Sequence, residues 1–492
     1  MPFENFIRKS ALFFLFLAPF VESTARQDPA AVRAAENPKV FQVGAATSNI
    51  TPAIGAIVVG GFVRPKSTHI NDDLHARCLV LDDGKTRLVF VVVDSVGVPR
   101  EVFDEAKQRL QKLTKVPVEH MMMSATHTHS APGARGSDPL AFGSKTLDNY
   151  QEFLIQRIVD GVQRAVNNLQ PAQLASGAGQ VPQHVFNRRW LLKDGKTATN
   201  PLGGEDLAVM NPSGFKDRLW KPAGPVNPAV YFLSAQSIDG RPIALMANYW
   251  MHYVSIAAPQ SYMSSGYFGS FGERIEQLLD AGWQQPRFVG ILANGPCGDV
   301  SNVDYSATPT RRYGPFEKVR EVANDVAQEV VRVRRTLQHR ASVDLKAATS
   351  ELEIRMRRPS DDEARRAQAV LARPPSAVPT HKREVAYAER ITAARAWPET
   401  VSIVVQVFRV GDLAIAALPF EVFTETGLEI NAKSPFRDTF TIELANGSYG
   451  YLPTPEQHAL GGYETWLGTN RVEKEASRKI VAKVVDLFQQ VK

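Results

Sequence analysis

The stretch SATHTHSAPG, residues 124–133, places two imidazoles, His127 and His129, two positions apart behind an apolar run. Val116, Val118, Met121, Met122 and Met123 precede it, and a Ser-Ala-Pro-Gly turn follows. Such a run reads as a buried strand over 116–124 that stops where the histidines begin. In extended backbone, residues two apart point to the same side. Both rings could therefore serve one metal ion, or one could hold the metal while the other moves a proton. The competing structural reading is a pair of histidines that cap the strand by hydrogen bonds to backbone.

Upstream, RLVFVVV at 87–93 is the unbroken β-branched pattern of a strand buried on both faces. Residues 101–113 are amphipathic and read as a helix, so the region alternates strand and helix. Further along, 149–169 and 315–340 read as helices, and 288–293 as an apolar strand. Residues 230–237 and 242–249 flank Asp239-Gly240 as a hairpin, and 403–410 and 413–418 flank Gly411-Asp412 as another. Polar, Ala/Arg-rich residues 361–397 read as outer helices, and 473–491 as a closing amphipathic helix. The expected fold class is α/β: layered mixed sheets with flanking helices in one large domain over 41–492. A boundary near 345 is the alternative.

The chain has 492 residues and a formal net charge of +6. Its positive charge is scattered apart from an Arg-rich stretch at 332–340, without the basic clusters and interleaved aromatics of a nucleic-acid binder. Arg8 and Lys9, an apolar run at 11–21 and Ser23-Thr24-Ala25 read as a secretory signal over residues 1–25, with a linker over 26–40. A secreted or periplasmic protein is expected, a membrane-anchored form being the alternative. Cys78 and Cys297 are the only cysteines, so a thiolate zinc cluster is excluded, while a disulfide between them is left open.

Polar residues gather where strands stop. The 242–249 strand runs into NYWMHYVS with His252; the 288–293 strand ends in NGPCGDVSN with Asp299 and Ser301; the 413–418 strand ends in LPFEVF with Glu421. Sites in α/β sheets collect beyond the carboxyl ends of strands. Imidazole nitrogen and carboxylate oxygen are zinc donors, and a catalytic zinc keeps a position open for water. The Gly- and aromatic-rich segment 446–466, with Tyr449, Tyr451 and Tyr463, is the type of loop that lines a site. No GxSxG elbow, P-loop or GxGxxG after a strand is present, and HxHxDH is absent because Ser130-Ala131 follows His129. A serine hydrolase built on Ser301 and Asp299 stays open.

Assembled in order, these motifs resemble the neutral, non-lysosomal ceramidases. SATHTHSAPG is similar to that family's Thr-His-Thr-His-Ser-Gly-Pro-Gly signature; VGAATSNITP, DDLHARCLVLDD, FNRR, GDVSN, LPFE, YGYLPTPEQH and GGYETW follow in family order. The resemblance implies a zinc amidase that splits an N-acyl lipid amide such as ceramide, with transient contact to a membrane surface and no nucleic-acid partner. It implies one zinc ion held by His127, His252, Glu421 and Tyr451. It places His129 beside the metal as base or acid, Arg188 and Tyr463 at the scissile carbonyl, and Ser301 in the lining loop. The implied steps are attack of a zinc-activated water on the carbonyl, oxyanion stabilisation and protonation of the leaving amine. Ala131, Asn302, Phe420, Thr465 and Trp466 depart from the family pattern around the site and put the substrate in question more than the metal. Another N-acyl amide is one alternative. A binding protein without turnover is another, against which the ligand set speaks. A chain ending soon after the tyrosine loop is expected to lack the family's C-terminal immunoglobulin-like domain.

Overall fold

Seven residues of almost unbroken apolar character need cover on both faces, and the strand Arg87–Val93 receives it. Leu88, Phe90 and Val92 pack towards a second sheet, while Val89, Val91 and Val93 pack towards helices. Each such side chain contributes roughly 1.5–3 kcal/mol when fully buried. A computed structural model describes residues 40–135, 146–308, 311–374 and 376–492. The leader read at 1–25, and the linker except its last residue, lie outside these.

The larger sheet contains β1 (Gln42–Asn49), β2 (His75–Asp82), β3 (Arg87–Val93), β4 (Met121–Ala125), β5 (Gln170–Gln180), β6 (Ala229–Ser237), β7 (Pro242–Tyr249) and β8 (Val289–Asn294). Its spatial order is β8-β7-β6-β5-β1-β2-β3-β4. Neighbours are antiparallel except β3–β4 and β7–β8, which are parallel. The smaller sheet is built from β9 (Leu345–Arg355), β10 (Thr400–Val410), β11 (Leu413–Ala417) and, after the two-residue strand β12 (Glu421–Val422), β13 (Asp438–Ile442). Its order is β9-β10-β11-β13. β12 pairs with β14 (Tyr451–Leu452).

The sheets stack face to face around Phe90, Leu233, Met246, Phe408, Ile415 and Phe440. Helices α1 (Arg100–Thr114), α2 (Asn149–Asn167), α3 (Gly266–Leu278) and α4 (Glu317–Arg334) cover the outer face of the larger sheet. Helices α5 (Asp361–Leu371) and α6 (Glu384–Ala394) cover the outer face of the smaller one. They are joined there by the last helix, whose stripe of Ile480, Val484, Leu487 and Val491 recurs at helical spacing. The result is a helix–sheet–sheet–helix arrangement. Among the described residues no helix is long and apolar enough to cross a membrane.

Several boundaries differ from the sequence reading for local reasons. The strand expected over 116–124 starts at Met121, because Pro117 is followed by a 3-10 turn at Val118–His120. The helix expected over 315–340 runs from Glu317 to Arg334, with Phe316 at φ 60° preventing an earlier start. β5 and β9 carry no clear apolar pattern. In β5 a Cβ at Gly179 would meet Glu329 Cγ at 2.6 Å, so the small residue admits helix α4. Cys78 and Cys297 are both buried free thiols.

A short segment after β13 joins the two sheets. Asn446 N donates to Met123 O (2.7 Å), Ala125 N to Leu444 O (3.2 Å) and Glu443 N to Asn294 O (3.1 Å). Leu444 N and Ala445 N donate to Phe420 and Leu418 at the end of β11. The carboxyl ends of β4, β8 and β11 are thereby held at one place, although β4 and β8 are opposite edges of the larger sheet.

The helix Pro455–Leu460 holds His458, whose Nε2 is buried without a partner. Burial, with the charges of Arg357, Lys474 and Arg189, pushes its pKa down to about 3. A histidine whose folded pKa lies below its unfolded value contributes stability at neutral pH that is lost as pH falls below about 6.5. Between pH 7.5 and 5 this group should account for about 2 kcal/mol of lost stability, at 1.36 kcal/mol per unit. His458→Gln should show a smaller drop in Tm over that interval than the parent; equal drops would exclude His458 as a source.

Candidate metal centre

His127 follows β4 directly. Thr126 N donates to Val93 O and His127 N to Ser95 O, both at 2.9 Å, so the chain still tracks the extension of β3. It then turns at His127 through φ 67°, a left-handed conformation that is costly for a side chain with a Cβ and recurs at functional sites. His127 Nδ1 lies 2.7 Å from Val96 O. A carbonyl only accepts, so Nδ1 carries a proton; burial opposes a second one, but Glu421 raises the pKa of the ring, and Nε2 offers a lone pair where a cation displaces that second proton.

Three further groups meet that lone pair. His252 Nε2 and His129 Nε2 each lie 3.1 Å from His127 Nε2, and Glu421 Oε2 lies at 3.3 Å. His252 comes three residues beyond β7, and its Nδ1 faces Cys297 Sγ at 3.4 Å. Glu421 opens β12, where it is the register partner of Tyr451 on β14. Burial holds His129 and His252 well below the ordinary histidine value, so both are neutral and able to donate a lone pair. Glu421 is ionised: burial opposes this, but the charge and hydrogen bond of His127 pull its pKa down to about 2. Among the described residues, His127, His129 and His252 have ligand atoms spaced as a metal-binding group requires. Glu421 Oε2 is buried, and its contact with His127 Nε2 at 3.3 Å is an ion pair outside ideal hydrogen-bond geometry. Imidazole nitrogens converging on a buried carboxylate fit a bound cation, which would take the place of the proton between His127 and Glu421.

The other candidates surround this cluster. The Tyr451 hydroxyl accepts from Arg188 Nη2 at 3.0 Å, and its ring meets Tyr463 edge-on at 5.8 Å. Arg188 is buried and also donates to Gly298 O (2.8 Å) and Glu464 Oε1 (3.0 Å). The second oxygen of Glu464 takes Arg189 Nη1 at 2.6 Å, so a buried carboxylate clamps two arginines beneath the tyrosine loop. His129 is half-buried and stacks on Tyr253 with ring centroids 3.7 Å apart. The Ser301 hydroxyl bonds Val303 O in its own loop at 3.3 Å. Asp299 accepts from Thr424 N and Oγ1 (each 2.9 Å) and Asn187 Nδ2 (2.8 Å). These bonds tie Asp299 to the start of helix Thr424–Lys433 rather than to a histidine, which leaves a Ser301–Asp299 hydrolase without its relay.

Glu443 was not singled out from sequence, and Cys297 was considered there only as a disulfide partner of Cys78. Glu443 is fully buried and accepts Val422 N (2.9 Å), Cys297 N (3.2 Å), Asn294 Nδ2 (3.1 Å) and Cys297 Sγ (2.9 Å). Burial raises its pKa to about 8, against the pull of these donors and of His127. It is one more polar residue at a strand end, in TIELANG, so the criterion that selected Glu421 would also have found it.

Residues 41–310 match the model of the neutral/alkaline non-lysosomal ceramidases, N-terminal region. That match covers over half of the chain, which belongs to this family. The neutral ceramidase of Pseudomonas aeruginosa is 24% identical over 315 residues, 59% of this chain and 43% of that protein. The chain thus matches less than half the length of that relative. The crystal structure of neutral ceramidase from P. aeruginosa superposes with a TM-score of 0.67 at 20% identity, covering 92% of this chain and 75% of that one. A ceramidase complexed with C2 gives 0.66 at 18%, with the same coverage. The layered α/β fold is therefore shared with these structures.

Gly60 sets the approach of the 53–66 loop to the cluster: a Cβ there would lie 2.0 Å from His129 O. Backbone must move to relieve that clash. Gly60→Ala should lower stability by about 1–3 kcal/mol in denaturant unfolding. A variant as stable as the parent would mean that the loop yields freely.

Proposed function

We propose that this chain is a zinc-dependent amidohydrolase that cleaves an N-acyl lipid amide of the ceramide type. The observation that carries this is the convergence of three imidazole Nε2 atoms and the buried Glu421 carboxylate behind a buried tyrosine. His127, His252 and Glu421, with Tyr451 beside Glu421, would hold the ion. Zinc bound there supplies Lewis acidity to the carbonyl and lowers the pKa of water to near neutrality.

The remaining steps belong to side chains of this protein. His129, kept neutral by burial and open on one side, takes the proton of the attacking water and passes it to the departing nitrogen. Tyr463 lies against Tyr451 and offers its hydroxyl to the carbonyl oxygen as charge develops there. Arg188 acts on the same oxygen through Tyr451, whose hydroxyl it holds. Glu464 in turn fixes Arg188, so the donor array is set before substrate arrives. Ser301 closes the short strand Val300–Ser301, two residues beyond the Gly298 carbonyl that Arg188 holds.

Metal analysis and hydrolysis of a fluorescent N-acyl-sphingosine, with and without chelator, test the reading. The expected result is about one zinc per chain, the stoichiometry of a single catalytic site, and chelator-sensitive release of fatty acid. His127→Ala and Glu421→Ala should lose metal and activity together. His129→Ala should retain zinc and slow turnover roughly 10²–10⁴-fold, the range of general acid–base catalysis. Full zinc and full rate in either ligand variant would refute the ligand set; an unchanged rate in His129→Ala would remove its proton-transfer role.

A further inference from the structure

Cys297 stands between His252 and the buried acid Glu443. It is fully buried in the loop after β8. Its backbone N donates to Glu443 Oε2 at 3.2 Å, and its Sγ donates to Glu443 Oε1 at 2.9 Å. The same sulfur lies 3.4 Å from His252 Nδ1 and accepts from Asn294 Nδ2 at 3.3 Å. The loop cannot drift from the site. Gly298 N donates to Val422 O at 2.8 Å, and a Cβ on Gly298 would lie 2.7 Å from Glu421 O. One residue is thus fixed at two points to an acid and presents its sulfur to a ring whose other nitrogen faces His127.

Donor accounting sets the direction of these bonds. A thiol has one hydrogen, and three polar atoms face this one. The amide nitrogen of Asn294 donates and does not accept. The hydrogen therefore goes to Glu443 or to His252 Nδ1. Glu443 is the nearer, and a carboxylate is the stronger acceptor. The Cys297 backbone also bonds the His252 ring in the sense that favours ring protonation, as an accepting carbonyl does. His252 Nε2 faces His127, so the nitrogen on that side is Nδ1. A nitrogen that donates to a carbonyl has no lone pair left for the thiol. Nδ1 then carries the hydrogen of the neutral ring, the sulfur lies on its acceptor side, and Nε2 keeps the lone pair that a metal ligand needs. With the hydrogen on Nε2 instead, His252 would present an N–H to the centre and could not ligate.

We propose that Cys297 is a positioning residue for metal binding, which passes the hold of Glu443 to His252 and fixes the tautomer that leaves Nε2 free. This rests on the zinc reading of the centre and adds to it a residue that acts through His252.

Zinc affinity of the chelator-stripped protein, measured by competition with a fluorescent chelator, tests this without turnover. Cys297→Ala should weaken zinc binding at least about tenfold, the usual loss for an outer partner of a ligating histidine. Cys297→Ser, whose hydroxyl can donate to Glu443 and accept from Nδ1, should restore most of that affinity. Equal affinity in Cys297→Ala and the parent overturns the proposal while leaving the ligand set intact. Equal loss in the Ser and Ala variants overturns it too, because the bonds of the side chain would then not be what matters. The cobalt-loaded parent should lack a thiolate-to-cobalt charge-transfer band; its presence would make Cys297 a ligand and end the positioning role. A parent that binds no zinc is a failure of the metal reading, and ring-nitrogen NMR of His252 then decides, as it does if Cys297→Ala fails to fold. Hydrogen on Nδ1 supports the positioning role; hydrogen on Nε2 overturns it.

Discussion

The carboxylate of Glu443 is the constraint on which the site depends. It is fully buried and gathers four donors from three separate segments: Val422 at the end of β12, Asn294 at the end of β8, and Cys297 in the loop behind it. An acid in that position is tolerable only when its oxygens are satisfied. The need works in both directions, since the donors are equally buried and equally costly to strand. Satisfying them holds the end of the smaller sheet against the end of the larger one. Cys297, held by Glu443, then faces His252 Nδ1 and steadies the ring whose other nitrogen points at His127. Such outer partners orient metal-binding histidines in general.

Around that anchor the site is divided by charge. Two neutral imidazoles and one ion pair occupy the centre, where burial suppresses protonation of His129 and His252 while His127 and Glu421 hold each other charged. Beside them, Arg188 and Arg189 share the single carboxylate of Glu464 and serve to place Tyr451 and its loop.

The scaffold permits this because its two sheets are packed as a sandwich and cross-linked at one end. Hydrophobic burial between Phe90 and Phe408, whose rings meet edge-on at 5.2 Å, sets the spacing of the sheets but not their register at the site. The register comes from directional bonds of residues 443–446 to Met123, Ala125, Asn294, Leu418 and Phe420.

Much of this was legible in the chain itself. Unbroken or alternating apolar runs declared β3, β4, β6, β7, β8, β10 and β11, because burial of a strand face dictates residue type along the chain. Those same runs marked where strands stop, so the polar residues at their ends could be picked out one at a time: His127, His129, His252, Glu421. β5 and β9 escaped because contact with neighbouring elements, rather than a continuous apolar face, holds them. What only the tertiary structure decided is which ends meet. The pairing of Glu421 with Tyr451, the four donors on Glu443 and the clamp of Glu464 on two arginines each join residues far apart in sequence. Local pattern carries no record of such pairs, since hydrogen bonds and charge interactions act through space, whereas hydrophobic periodicity is written along the chain.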